Sequence, residues 1–452
     1  MKSINPTTEQ VFAEYPDHTP AQVEQLLDQA ERAFTQWRTK SFEERGDLLR
    51  RVGELLLEQK TDLSTLMTRE MGKTIAGAES EIEKCASACD YFANHAQRLL
   101  AIEEIPTDAG KSYIRYDPLG PILAIMPWNF PFWQVFRFAA PSLMAGNVAV
   151  LKHAWNVPGC GIAIERIFRE AGASPGVFTN LLLDNNAAEA LIAHPRIRAV
   201  TLTGSERAGK AVGSAAGRVL KKSVLELGGS DPFIVCPDVD IPATASAAAA
   251  ARCINAGQSC IAAKRFLVHE SIADRFERAF ADRMSSLKLG DPLDRNTEIG
   301  PLARADLRDS LDEQVKKTLA AGARLLCGGK KPSTRGFFYL PTVLAEVHPG
   351  MIAFDEETFG PVAAVTRVKN MDETVELANR SRFGLGASIW TKDIPLAERL
   401  AAQIESGSVF INGAVKSDSR LPFGGIKNSG YGRELAQVGI REFVNIKTVW
   451  IK

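Results

Sequence analysis

Apolar residues recur every three or four positions through AQVEQLLDQAERAFTQW (21–37) and ERGDLLRRVGELLLEQ (44–59), a spacing that predicts mostly helix over residues 20–100. The pattern changes at SYIRYDPLG (112–120), where alternating Tyr, Ile and Tyr suit an exposed strand. From Pro121 the chain turns to short apolar runs: PILAIMP (121–127), NVAVLKH (147–153), VFTNLLL (177–183) and RAVTLTG (198–204). A helix is expected from about Pro158, and another over SERAGKAVGSAAG (205–217). Strands that alternate with helices pair in parallel through right-handed crossovers, which gives an open α/β sheet. Such sheets bind ligands beyond the carboxyl ends of their strands, where Asn129, Lys152, Gly204 and Ser205 fall. A second α/β pattern follows in SDPFIVC (230–236), AKRFLVH (263–269) and PVAAVTRV (361–368), with the helical stretch 272–287 between strands. The tail EFVNIKTVWIK (442–452) alternates again and is expected to pair with the 112–117 strand or with a neighbouring subunit, as an arm.

Length sharpens this picture, because 452 residues exceed what one hydrophobic core organises and call for two or three domains. With 54 basic and 54 acidic residues there is no basic excess, which argues against a nucleic-acid or anionic-membrane partner. No apolar run is long enough to cross a bilayer, and MKSINPTTEQ lacks the apolar core of a secretory signal, so a cytoplasmic location is expected. Seven cysteines in a long chain of this kind do not suggest a disulfide framework. Cys85 and Cys89 stand four apart in a helical stretch without histidines at ligand spacing, so they are read as packing residues and no metal site is expected.

Four short segments carry candidate chemistry. Gly204-Ser205-x-x-x-Gly209 joins a strand to a helix, which fits a pyrophosphate cradle at a helix N-terminus or a plain turn. Cys260 lies in NAGQSC, a small-residue loop suited to an accessible thiol of lowered pKa, although a cysteine is more often a small buried hydrophobe. Glu226 in VLELGG is a carboxylate among apolar neighbours, where desolvation would raise its pKa toward general-base use; a structural cap is the alternative. Asn129 in PWNFP is held between two prolines, as an oxyanion donor or as an ordinary turn asparagine.

Taken together, PWNFP (127–131), TGSERAG (203–209), LELGG (225–229), NAGQSC (255–260), EETFGPV (356–362) and PFGGIKNSGYGRE (422–434) resemble the signatures of the aldehyde dehydrogenase superfamily, in its order and spacing. The likeness runs from INPTT to KTVW and is nearest to the short bacterial and cyanobacterial succinate-semialdehyde dehydrogenases. It implies an α/β aldehyde dehydrogenase fold: a Rossmann-like coenzyme domain (1–98 and 119–228), an α/β catalytic domain (229–430) and a small β oligomerisation arm (99–118 and 431–452) in a homodimer or homotetramer. It implies that Cys260 attacks the aldehyde, that Asn129 and the Cys260 N–H hold the oxyanion, and that Glu226 activates water against the thioester. Lys152 and Glu357 would hold the riboses, Ser205 the pyrophosphate and Phe359 the nicotinamide region, within a coenzyme site that also includes Pro127, Trp128, Gly204, Gly209 and Leu227.

Two positions depart from common patterns of that superfamily. Trp155 stands where members that favour NAD often carry a glutamate. Losing that carboxylate removes repulsion of a 2′-phosphate while the indole adds bulk, so the coenzyme is NADP or NAD with the balance on NADP. Ala262 stands where some animal relatives carry a second cysteine, so a disulfide switch with Cys260 cannot form. For the aldehyde, Phe130, Trp133 and Arg137 have helix-compatible spacing and could face one pocket, with Phe423 beside them. Arg137 offers a fork for a substrate carboxylate or pairs with a structural acid. Ile254 replaces a second familiar arginine, and Ser419 or Arg420 is the candidate to supply that contact. A cysteine hydrolase would want a histidine base, and a CoA-acylating enzyme usually lacks the glutamate; a non-catalytic role would place no demand on Cys260, Glu226 and Asn129 together.

Overall fold

The computed structural model describes residues 1–184 and 187–452. Four helices open the chain after a small strand pair: Pro20–Trp37, Phe42–Glu58, Lys60–Met71 and Ile75–Leu99. Thr19 and Ser41 close capping boxes on the first two, each accepting from the N3 backbone while Gln22 or Glu44 reaches back. The helix Ile75–Leu99 buries Ala78, Ile82, Cys85, Cys89, Phe92 and Ala96 along one stripe, against Phe42–Glu58 and Trp133–Met144. Cys85 and Cys89 are thus core residues, and no group of three potential metal ligands forms among the described residues.

The expected apolar runs form a six-stranded sheet in the order Gly430–Tyr431, Lys222–Glu226, Ala199–Thr203, Pro121–Met126, Val148–His153, Phe178–Leu181. All neighbours are parallel except the first pair. From Pro121–Met126 the chain builds outward on one side, then returns to add Ala199–Thr203 on the other. The carboxyl ends of these two strands therefore flank a switch point, the crevice where doubly wound sheets bind ligands. PWNFP leaves one end and Gly204-Ser205 the other.

Residues 227–231 lead from this sheet straight into a seven-stranded one, ordered Arg324–Cys327, Thr342–Ala345, Val362–Val368, Arg265–His269, Pro232–Val235, Gly386–Trp390, Ser408–Ile411. Each sheet has its own apolar core. The loop carrying Cys260 enters the second sheet at the amino end of Arg265–His269, so the site lies where the carboxyl end of one sheet meets the amino end of the other. A three-stranded sheet joins Val444–Ile451, Lys111–Pro118 and Glu103–Glu104, with Val444 opposite Pro118 and Ile451 opposite Lys111. The tail thus pairs within its own chain. Before it gets there, Gly430 and Tyr431 add an antiparallel edge to the six-stranded sheet opposite Glu226 and Leu225, so the chain revisits the first layer across the 430/431 boundary read from sequence. Among the described residues no helix is long and apolar enough to cross a membrane.

Candidate active site

Cys260 lines two cavities that share no other lining residue. One, of about 270 Å³, is walled by Phe130, Trp133, Arg137 and Phe423. The other, of about 250 Å³, is walled by Pro127, Trp128, Asn129, Gly204, Ser205, Leu227, Glu357 and Phe359. The motifs read as coenzyme-binding and those read as substrate-binding therefore meet at one sulfur.

The loop before Cys260 is tightly coiled. Asn255 and Ala256 both have φ of 53° and Gly257 has 75°, and a Cβ on Gly257 would overlap the Gly360 backbone. Its carbonyls are held by two buried cations that the motifs did not single out. Arg252 donates to the Gly257 carbonyl at 2.7 Å. Lys264 Nζ donates to the carbonyls of Ser259, Cys260 and Ala262 at 3.0, 2.8 and 3.1 Å and lies 3.6 Å from Glu357. Four residues past the nucleophile, Lys264 is a sequence signal that could have been used.

Burial pushes the Cys260 thiol up to about 12, against the opposing pull of Arg137 and Lys264. The lowered pKa expected for a nucleophile is not a property of the protein alone, since desolvation outweighs both cations. Asn129 is buried, and its Nδ2 donates to the Gln258 carbonyl at 3.1 Å while Asn255 donates to the Asn129 carbonyl at 2.7 Å. An amide nitrogen has two hydrogens, so the second stays available beside Cys260. His153 braces the same turn: Nε2 faces the Pro131 carbonyl at 2.9 Å, and Nδ1 accepts from Ala154. Burial lowers this imidazole to about 4, so it is neutral and donates through Nε2.

Glu226 ends its strand buried, against Gly424, with neither carboxylate oxygen hydrogen-bonded. Desolvation raises its pKa well above the usual carboxylate range, with Arg137 pulling down and Glu434 pushing up. It lines neither cavity.

Around the dinucleotide signature, Ser205 caps the helix Glu206–Arg218 by accepting from Ala208, which leaves the helix N-terminus at the cavity. A Cβ on Gly204 would make ordinary contact with Leu202 and Ala208 at 3.5 Å or more, so packing does not demand glycine there. Gly209 is different: a Cβ would collide with Leu227, so helix-to-strand packing accounts for it. Trp128 and Phe359 meet edge to face at 5.8 Å. Lys152 is buried at the end of its strand, and Trp155 is half-exposed under the Arg304 guanidinium at 5.2 Å; both lie outside the lining shared with Gly204. A cavity at a helix N-terminus, lined by Gly204 and Ser205 with the Glu357 carboxylate flanking, fits a nicotinamide dinucleotide.

The substrate candidates fall in two places. Phe130, Trp133 and Arg137 do face one cavity, yet Arg137 is an ion-paired core residue: its Nε pairs with buried Glu434, its Nη2 donates to Thr203 at 3.2 Å, and its plane lies over Phe423 at 4.5 Å. The helix Trp133–Met144 is buried on all sides, so a charge there requires a partner. Arg420 is a surface residue chelated by Asp418 at 2.9 and 2.6 Å, and neither it nor Ser419 lines the cavity. The serine that does is Ser417, with Lys84 beside it.

Comparison with known proteins bears on the whole chain. The aldehyde dehydrogenase family profile matches residues 1–449. A probable NADP(+)-dependent succinate-semialdehyde dehydrogenase of Synechocystis sp. is 50% identical over 451 residues, covering 100% of this chain and 99% of that protein. The succinate semialdehyde dehydrogenase Sad of Escherichia coli, named for NAD(P)+, is 49% identical over 448 residues, covering 99% and 97%. The crystal structure of succinic semialdehyde dehydrogenase from Streptococcus pyogenes with NADP+ superposes with a TM-score of 0.97 at 37% identity, covering 100% and 99%.

Proposed function

The chain belongs to the aldehyde dehydrogenase family, and on that premise we propose that it oxidises succinate semialdehyde to succinate with NADP, accepting NAD less well. The observation that carries this reading is the meeting of the two cavities at Cys260. When bound along Gly204, Ser205 and Glu357, the dinucleotide supplies the hydride acceptor that no side chain can be.

The protein's own part has two stages. In the first, the Cys260 thiol passes its proton to solvent water and its sulfur bonds to the aldehyde carbon, with the resulting oxyanion held by the free Asn129 N–H and the Cys260 backbone N–H. Hydride loss leaves a thioester on the sulfur. In the second, Glu226 rotates in and takes a proton from water, whose oxygen attacks the thioester carbon; the C–S bond breaks and the thiol is restored as the acid leaves. Desolvation raises the Glu226 pKa well above the usual carboxylate range, which strengthens its ionised form as a proton acceptor. Phe130, Trp133 and Phe423 wall the aldehyde, and Arg137 adds positive potential that Glu434 largely offsets.

We assign the protein to a reducing compartment, the cytoplasm, in keeping with seven cysteines that are all free thiols. A dimer or tetramer fits the free edge of Val444–Ile451, where Ile446 is 61% and Trp450 51% exposed. The test is an aldehyde panel, with and without a distal carboxylate, assayed with NADP and NAD. Succinate semialdehyde with NADP should give the highest kcat/KM; equal use of butyraldehyde would overturn the substrate assignment.

A further inference from the structure

The chain aims a buried cation at the back of the nucleophile. Lys264 stands four residues past Cys260, just before the strand Arg265–His269. Its own backbone is pinned on both sides: its N–H donates to the Asp231 carbonyl at 3.1 Å, and its carbonyl accepts from Ala364 at 3.0 Å. From that fixed base the fully buried side chain turns back beneath the loop, and Nζ reaches the carbonyls of Ser259, Cys260 and Ala262. Three carbonyls at bonding distance call for three N–H donors, which the ammonium has and the neutral amine lacks. Lys264 is therefore a charged clamp. Glu357, Arg252 and Asp231 are the charged groups around it, with the Cys260 thiol, and Glu357 lies 3.6 Å away.

One of the three bonds has a particular consequence. The Ser259 carbonyl and the Cys260 N–H belong to a single peptide unit, planar and conjugated. The Ser259 oxygen accepts from Lys264 Nζ at 3.0 Å and from the Ala262 N–H at 3.2 Å, so both of its acceptor positions are filled. Linked hydrogen bonds polarise one another, and a charged donor is the stronger kind. Electron density drawn toward the Ser259 oxygen leaves the Cys260 amide hydrogen more positive. Among the described residues that N–H makes no hydrogen bond. Asn129, the other oxyanion donor, is tied to the adjacent peptide unit through the Gln258 carbonyl, at 3.1 Å. Of these two units, the one ending in the Cys260 N–H has the cation at its back.

We propose that Lys264 is a positioning residue for the oxyanion hole: it fixes the Ser259–Cys260 peptide plane and polarises its N–H toward the oxygen of the reacting aldehyde. The inference rests on the oxidation assigned above, in which that N–H holds the oxyanion. Lys264 lines neither cavity, so it acts through the peptide unit and not by contact with aldehyde or coenzyme. Its charge has a second effect. Burial raises the Cys260 thiol, and Arg137 and Lys264 draw it back down. The two effects are separable, because alkylation of the sulfur needs thiolate and forms no oxyanion, whereas addition to a carbonyl needs both.

The experiment sets Lys264→Met, Lys264→Gln and Lys264→Arg beside wild type in three reactions of one sulfur at one pH. These are first-turnover NADPH formation from succinate semialdehyde, inhibition by a trifluoromethyl ketone, and alkylation of Cys260 by iodoacetamide, read on its peptide by mass spectrometry. The ketone adds to the thiolate and keeps the oxyanion, since it has no hydride to lose. All three scale with the thiolate fraction, so dividing by the alkylation rate removes that effect. After this division Lys264→Met should weaken ketone binding and slow the first turnover about tenfold, less than the ~10²–10³ lost when an oxyanion donor is removed outright. Lys264→Arg should restore most of the loss, because it keeps a charged donor. Lys264→Gln keeps two N–H donors for the loop without the charge, and should show the same sign of loss even where Lys264→Met fails to fold. Ketone binding and alkylation that fall by one factor in Lys264→Gln, or that both stay at wild type, overturn the inference and leave the function standing. A wild type that forms no NADPH from succinate semialdehyde overturns the function beneath it.

Discussion

Two buried charges near the nucleophile can be told apart by single substitutions. Glu226→Gln keeps the shape of the carboxylate and removes its proton affinity, so the first stage proceeds and thioester hydrolysis stalls. Rapid mixing should show a burst of NADPH near one per active site followed by little turnover; a uniformly slow first turnover would place Glu226 at thiol activation instead. Arg137→Leu acts through packing. It leaves Glu434 buried without its counter-charge and Glu226 without its largest charge-stabilising neighbour. Breaking one side of a buried pair costs about 3–5 kcal/mol, so denaturant unfolding should show a loss of that order. Activity should drop on succinate semialdehyde and butyraldehyde together. If the ratio between them collapses instead, Arg137 holds the carboxylate.

At the scale of elements, legibility followed locality. Strands such as Pro121–Met126 and Val148–His153 were readable because an unbroken apolar run bounded by Pro, Asn or Gly has few other uses. Cys260, Asn129 and Glu226 were readable because each lies within a short segment whose neighbours restrict its backbone or burial. The identity of Arg137 was visible but its ion-pair partner was not, because Glu434 stands almost three hundred positions away and arrives only when the segment after Gly424 folds back on Lys222–Glu226. Lys84 shows the limit from the other side. On an amphipathic helix a lysine reads as solvent-facing, and only the approach of Trp133 and Ser417 closes water away from it. Arg420, two residues from Asp418, satisfies its charge locally on the surface. The clamp by Lys264 was legible in spacing, yet its three carbonyl acceptors exist only once Asn255, Ala256 and Gly257 coil the loop.

For the whole molecule, the path of the last thirty residues matters most. Phe423 walls the substrate cavity, Gly424 sits against Glu226, Glu434 neutralises Arg137, and the same run ends as Val444–Ile451 at a free sheet edge. Where that edge is covered by a second copy, docking fixes one end of a cord whose other end threads the catalytic centre. Assembly and catalysis are then linked equilibria, and each subunit interface acts as an activating ligand for its own active site. Dilution below the dissociation constant should lower specific activity in step with the mass measured by light scattering. Trp450→Glu should bring on that loss at higher protein concentration, and full activity in a proven monomer would show the cord to be slack.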